Sequence, residues 1–270
     1  MPSSPTALDR IRIVLCDTTH TGNMGASARA MKTMGLEQLV FVNPQNRPDD
    51  QAIARATGAS DLLLSAPVVT DLDSAIEDCQ LVFGSSARSR SIGWPTVTPE
   101  QAANIIAERD TSTKIAFLFG KEQYGLTNAQ LDRCQYLVQI PANPEFSSLN
   151  LASAVQLISY QLRVTLLSKA PAADTADTAS VKPSDLPASN AEFEGMFDHL
   201  TATLSAIEFV DLDNPGKVLR RIRALLQRAE LSRNEAAIIR GICSATVPQD
   251  NQNGPDRQKN SGLNKDEVNV

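Results

Sequence analysis

Asn143-Pro144-Glu145-Phe146-Ser147-Ser148-Leu149-Asn150-Leu151-Ala152-Ser153-Ala154 separates an apolar, strand-like run, Tyr136 to Ile140, from an apolar run of helical length, Val155 to Leu167. Pro144 lacks the N–H that a sheet ladder needs and biases Asn143 towards an extended backbone, so the strand has ended by that point. Ser147 and Ser148 are good helix N-caps and helix formers follow them, which predicts a helix starting there. The product is a polar bend feeding a helix N-terminus, whose free N–H groups are offered to a ligand's acceptors. Open α/β sheets place ligands at such strand–bend–helix junctions. Taken alone, an ordinary capped helix also accounts for the stretch; two further polar-glycine junctions tip the balance.

Upstream, Ile11 to Cys16 reads as a β-branched first strand ending in the polar turn Asp17-Thr18-Thr19-His20-Thr21-Gly22-Asn23-Met24-Gly25. A helix is expected from Ala26 to Met34, closed by Gly35. Leu39 to Val42 is a second strand, and Pro48-Asp49-Asp50 opens a short helix. Leu81-Val82-Phe83 runs into Gly84-Ser85-Ser86-Ala87-Arg88-Ser89-Arg90, followed by a loop to Val97 that holds the only tryptophan, Trp94. Thr98-Pro99-Glu100-Gln101 is a capping box with proline at the first helical position. Lys114 to Phe119 is a strongly apolar strand followed at once by Gly120-Lys121-Glu122-Gln123-Tyr124-Gly125. Strands alternating with helices predict an α/β domain over residues 1–167, with a mostly parallel sheet covered on both faces.

Residues 168–191 turn to Ala, Asp, Thr, Ser and Pro without periodicity and read as a flexible linker. Phe193, Met196, Phe197, Leu200 and Leu204 then recur at helical spacing, Pro215 opens a second helix, and Ser232-Arg233-Asn234-Glu235 boxes a third. A small all-helical module over 192–247 and a disordered polar tail over 248–270 follow. On the second helix, Lys217, Arg220, Arg221, Arg223 and Arg228 lie off the apolar arc, with no acid among them. A solvated face is the usual account of such a run; a nucleic-acid contact is the other.

The 270 residues carry a net charge of −6 and are 42% hydrophobic, enough for a proper core. That charge suits non-specific coating of nucleic acid poorly but leaves room for a local basic patch. The four cysteines, Cys16, Cys79, Cys134 and Cys243, are far apart, which predicts buried thiols and no metal. Absence of an apolar signal core or a span-length run predicts a cytoplasmic protein with no membrane segment. No Gly-x-Gly-x-x-Gly follows the first strand, against a nucleotide-binding Rossmann enzyme.

Asn23-x-Gly25-x-x-x-Arg29, Phe119-Gly120-x-Glu122-x-x-Gly125-Leu126 and Pro144-x-x-x-Ser148-Leu149-Asn150-Leu151-x-x-Ala154, in that order, resemble the three motifs of SpoU-type SPOUT methyltransferases. Within them the likeness is to the TrmJ group of tRNA 2′-O-methyltransferases. Arg29 to Gly35, Gly58 to Asp61 and Ser86 to Arg90 also match that group. The resemblance implies a C-terminal trefoil knot in the α/β domain, a homodimer, and S-adenosyl-L-methionine as methyl donor. Its target would be the ribose 2′-hydroxyl of C or U at position 32 of the tRNA anticodon loop. Ribosomal RNA as target, or an inactive knotted RNA-binding protein, are the alternatives.

The residues that match the group's cofactor contacts are Ser85, Ser86, Ala87, Gly120, Ile140, Ser147, Ser148 and Leu149. Arg29 matches the proposed catalytic group, with Asn23 and Glu122 beside it in the motifs. An arginine stays protonated, so orienting the hydroxyl and stabilising developing alkoxide charge suits Arg29 better than acting as a base. Glu122 has a structural ion pair as its competing role, and Asn23 a helix cap. Arg88, Arg90, Lys217, Arg221 and Arg228 are candidate RNA contacts, and His20 is a turn residue near the site. Where many relatives carry Gly-Arg-Glu-Arg, this chain has Gly120-Lys121-Glu122-Gln123. Lysine lacks arginine's forked geometry and Gln123 carries no charge, so no phosphate or inter-subunit contact carries over to position 123.

Overall fold

The structure, a computed structural model, describes residues 7–87, 94–169, 182–213, 215 and 217–246. The expected tail, residues 170–181 of the expected linker, and Arg88 and Arg90 lie outside the described residues.

Among the described residues, seven strands form one all-parallel sheet: β1 Ile11–Cys16, β2 Gln38–Val42, β3 Val68–Val69, β4 Leu81–Ser85, β5 Thr96–Val97, β6 Ile115–Phe119 and β7 Tyr136–Val138. Their order is β3-β2-β1-β6-β4-β7-β5. The strands read as unbroken apolar runs because both faces are covered. On one face Ile13, Phe41, Phe83, Phe117 and Phe119 pack under three helices, α1 Thr21–Met34, α5 Pro99–Ala107 and α7 Leu151–Ser168. On the other, Val14, Val40, Val82 and Leu118 meet α4 Leu72–Ile76 and α6 Asn128–Leu131. Phe83 stacks on Phe117 with ring centroids 4.7 Å apart across β4 and β6. Two short helices, α2 Asp50–Ala56 and α3 Ser60–Ser65, complete the first half.

Several boundaries differ from the sequence reading. Helix α1 begins at Thr21, so Gly22, Asn23 and Gly25 are helical rather than part of a turn. A Cβ on Gly25 would sit 1.9 Å from the Ala52 carbonyl oxygen, so this glycine is where the α1 and α2 backbones touch. Helix α7 is capped by Asn150, whose Oδ1 accepts from Ala152 N and Ser153 N, and not by Ser147 or Ser148. The expected loop before Val97 ends in an edge strand, β5, that pairs with β7.

Three further helices, α8 Asn190–Ala206, α9 Val218–Arg228 and α10 Arg233–Thr246, enclose a small core of Phe193, Met196, Phe197 and Ala236. Ser189 already caps α8 through a capping box, and Asn190 N donates to Cys79 O (2.8 Å), so residues 188–191 are docked rather than linker. The module leans on the α/β domain through Arg109–Glu230 (2.5 Å), Arg220–Asp132 (2.8 Å) and Arg133–Glu194 (3.6 Å). Tyr136 donates to Glu230 (2.8 Å); burial and this carboxylate push its phenol up to about 12. Among the described residues no helix is long and apolar enough to cross a membrane.

Candidate functional site

Strands β6, β4 and β7 are neighbours, and the loops leaving their C-terminal ends form one cleft. This is where a parallel sheet exposes backbone polar groups that no further strand satisfies. Ser85, Ser86 and Ala87 leave β4, Gly120 leaves β6, and Ile140 leaves β7; Ser147, Ser148 and Leu149 close the cleft ahead of α7. All eight residues singled out by the resemblance as cofactor contacts therefore line a single cavity. Phe119, Leu151 and Ala154 add apolar wall, and Tyr124 stands at the rim, 69% exposed.

The loop after β6 is held shut on itself. Gly125 N donates to Lys121 O (2.7 Å), and Gly125 takes a left-handed backbone at φ 71°. A Cβ on Gly120 would lie 2.1 Å from the Gly125 carbonyl carbon and 2.2 Å from Leu126 N. No side chain fits at that position, and the bare backbone there faces the cleft.

Glu122 points from this loop into the start of α1. Its carboxylate accepts from Thr19 N (3.1 Å), the Thr19 hydroxyl (2.9 Å), His20 N (3.2 Å) and Asn23 Nδ2 (3.0 Å). Burial acts to raise the Glu122 pKa, but the bonds from Asn23 and Thr19 outweigh it and leave it lowered. A carboxylate there satisfies the N–H groups of the two residues that lead into α1 and faces the positive end of the helix dipole. Asn23 Oδ1 in turn accepts from Asn150 Nδ2 (3.0 Å), while Asn150 Oδ1 caps α7. One hydrogen-bond chain, Glu122–Asn23–Asn150, thus joins all three junctions. Asn23 does not cap its helix from outside, and Glu122 makes no ion pair with Arg29.

Arg29 lies on the exposed side of α1, where Nη1 donates to Thr57 Oγ1 (3.3 Å). It is six residues beyond Asn23, about 9 Å along the axis, and does not line its own chain's cleft. His20 is exposed at the N-cap position of α1 and offers no side-chain cap. Lys217, Arg221 and Arg228 are exposed on α9, away from the cleft. Two further cations of the same helix are spent internally: Arg220 on Asp132, and Arg223 on Glu194 and over the Phe197 ring (4.1 Å). The three candidate RNA contacts of this segment, Lys217, Arg221 and Arg228, are its exposed basic residues among those described.

Thr19 and Tyr124 were not singled out by the sequence. Thr19 had a legible signal, a hydroxyl two residues ahead of the helix start; Tyr124 had none beyond its place between motif positions.

Glu122→Ala should cost about 1–2 kcal/mol of stability, since four donors lose their acceptor at a site that solvent partly reaches. The folded pKa is lowered, so this contribution is full above the ordinary glutamate range and fades as pH falls through the lowered value. Denaturation midpoints of the two proteins should therefore differ at neutral pH and converge in acid.

The chain belongs to the SpoU methylase family: residues 10–160 match the SpoU rRNA Methylase family. Residues 191–257 match a second family, the C-terminal domain of the tRNA methyltransferase TrmJ. The tRNA (cytidine/uridine-2′-O-)-methyltransferase TrmJ of Yersinia enterocolitica is 43% identical over 259 residues, 95% of this chain and 100% of that one. Its namesake from Pectobacterium atrosepticum is 46% identical over 240 residues, covering 88% of this chain and 97% of the relative. Among solved structures, TrmJ from Z. mobilis ZM4 superposes with a TM-score of 0.74 at 31% identity, covering 87% of this chain and 97% of that one.

Proposed function

We propose that this protein is a tRNA 2′-O-methyltransferase that methylates the ribose of a cytidine or uridine with S-adenosyl-L-methionine as donor, at position 32 of the anticodon loop. The observation that carries this reading is the cleft lined by the loops after β4, β6 and β7, to which the Glu122–Asn23–Asn150 chain ties the first junction. Relatives of nearly the same length that bear this activity in their names support it. Position 32 rests on the likeness to the TrmJ group.

The cleft fits such a donor. Serine hydroxyls at 85, 86, 147 and 148 and open backbone at Gly120 suit a nucleoside's polar edge, and Phe119, Ile140 and Leu149 suit its flat apolar faces. When bound, the donor supplies an activated methyl group on a sulfonium, chemistry for which no metal is required. The chain's own task is to hold the ribose hydroxyl, a weak nucleophile when neutral, and to stabilise the charge it develops. Arg29 suits that task as a fixed cation. Glu122 and Asn23 position the start of α1 and the cleft wall rather than touch the reacting atoms, because their polar atoms are already engaged.

The protein acts as a homodimer, with Arg29 of one subunit serving the cleft of the other. Two observations support this: Arg29 stands outside its own chain's cleft, and α7 exposes Leu157, Tyr160, Val164 and Leu167 at alternating three- and four-residue steps. That spacing makes one apolar seam, the kind a second copy covers. The α/β domain is knotted in its C-terminal part; in support, β6 and β7 each enter the sheet beside β4, between strands laid down earlier in the chain. It functions in the cytosol, consistent with four buried, unpaired thiols. The chain divides into a methyltransferase domain (1–167), a connecting segment and a helical module that grips the tRNA.

Mass spectrometry of nucleosides from tRNA and ribosomal RNA incubated with the protein and labelled donor tests the function. The expected products are 2′-O-methylcytidine or 2′-O-methyluridine from tRNA, mapping to position 32; label in ribosomal RNA alone overturns the assignment. Replacing Lys217, Arg221 and Arg228 together by alanine should weaken tRNA binding and lower the salt slope of log affinity by about 2 to 3. Donor affinity should be unchanged. An unaltered salt slope would remove α9 from the RNA surface.

A further inference from the structure

One side chain of the helical module reaches the chain segments behind both walls of the cleft. Arg220 donates to Asp132 from Nε (3.0 and 3.1 Å) and from Nη2 (2.8 Å), and its guanidinium carbon lies 5.7 Å from the centroid of the Trp94 ring. Gln227, two turns along α9, donates to the Asp132 carbonyl (2.7 Å). Asp132 closes α6, which follows directly on the Gly120–Gly125 wall. Trp94 leads into β5, whose neighbour β7 accepts the Ser86 N–H at the Val138 carbonyl (3.0 Å). Ser86 is on the opposite wall. The next residue on α9, Arg221, is exposed on the proposed tRNA surface.

Resting on the function proposed above, we infer that Arg220 is a positioning residue that couples occupancy of the tRNA surface to the methyl-donor cleft. The fork of a guanidinium on a carboxylate admits essentially one geometry, and its flat face packs on the indole. A shift of α9 when phosphates engage Lys217, Arg221 and Arg228 therefore moves Asp132 and Trp94 together. Through them it moves both walls. By linkage, donor binding biases tRNA affinity to the same extent.

Trp94 is the only tryptophan in the chain and reports the contact directly. S-adenosylhomocysteine, which carries no methyl group to transfer, and unmodified tRNA transcript serve as the two ligands. In the wild type, saturating tRNA should change S-adenosylhomocysteine affinity by about fivefold or more, in either direction, and shift Trp94 emission. Arg220→Ala should keep near-normal S-adenosylhomocysteine affinity without tRNA but lose both responses. Arg220→Lys, which restores the cation without the fork, should recover part of them. Asp132→Asn removes the same ion pair with little change of shape and carries the same expectation should Arg220→Ala fail to fold. Wild-type coupling retained in a folded Arg220→Ala or Asp132→Asn protein overturns the inference. So does a wild type that binds both ligands independently. A wild type that binds neither ligand instead sinks the proposed function, and this inference with it.

Discussion

Gly120→Ala is expected to lower the affinity for S-adenosyl-L-methionine by about 10²-fold or more. The added methyl would lie 2.1 Å from the Gly125 carbonyl carbon and 2.2 Å from Leu126 N, both backbone atoms. Neither can rotate aside as a side-chain tip would, so the loop from Lys121 to Gly125 must move bodily, by about 1 Å to regain ordinary contact. That loop is a wall of the cleft, and it carries Glu122, which anchors the start of α1. The displacement therefore spreads from the donor site to the first junction. Titration calorimetry checks the affinity, and circular dichroism with thermal melts separates a moved loop from an unfolded domain, because β6 ends at Phe119 and keeps its ladders. Wild-type affinity in a folded Gly120→Ala protein would show that the donor binds elsewhere.

Arg29→Ala should lower turnover and leave donor affinity unchanged. Turnover should fall by about 10²–10³-fold, the loss seen when one fixed donor to a developing oxyanion is removed. Donor affinity should stay near wild type because Arg29 does not line the cleft of its own chain. Its bond to the Thr57 hydroxyl is a surface contact whose loss costs little stability. Arg29→Lys should recover only part of the rate, since a point charge lacks the fork. Single-turnover kinetics with saturating tRNA checks this, and unchanged turnover would remove Arg29 from the reaction. If the arginine serves the partner's cleft, mixed dimers settle the matter. Mixing Arg29→Ala chains with Gly120→Ala chains should recover activity: one of the two mixed clefts combines an intact donor wall with an intact arginine.

Much of this was legible in the chain. The apolar, β-branched strands and the capping box at Thr98 announced the alternating sheet and helices, because burial on both faces and helix capping are local demands. The residues of the cleft were named by the resemblance, whose motifs fall in the loops that leave parallel strands. Partnership was not legible. Gly25 looked like a turn glycine, yet it is the point where two helix backbones touch, and nothing near it in sequence names Ala52. Ser147 and Ser148 read as the caps, but Asn150, equally good by type, caps α7 while its amide reaches Asn23, 127 positions earlier. Five cations on α9 looked alike until Arg220 and Arg223 found carboxylates from outside the helix.

The sequence by itself therefore determined the elements, their polarity and the residue types at each junction, because propensity, capping and hydrophobic period act over a few residues. Only the tertiary structure decided which junctions meet, which carboxylate anchors which helix, and which arginines stay exposed. Those choices are made by contacts between residues about a hundred positions apart, as Glu122 and Asn23 are, and no local pattern encodes the partner.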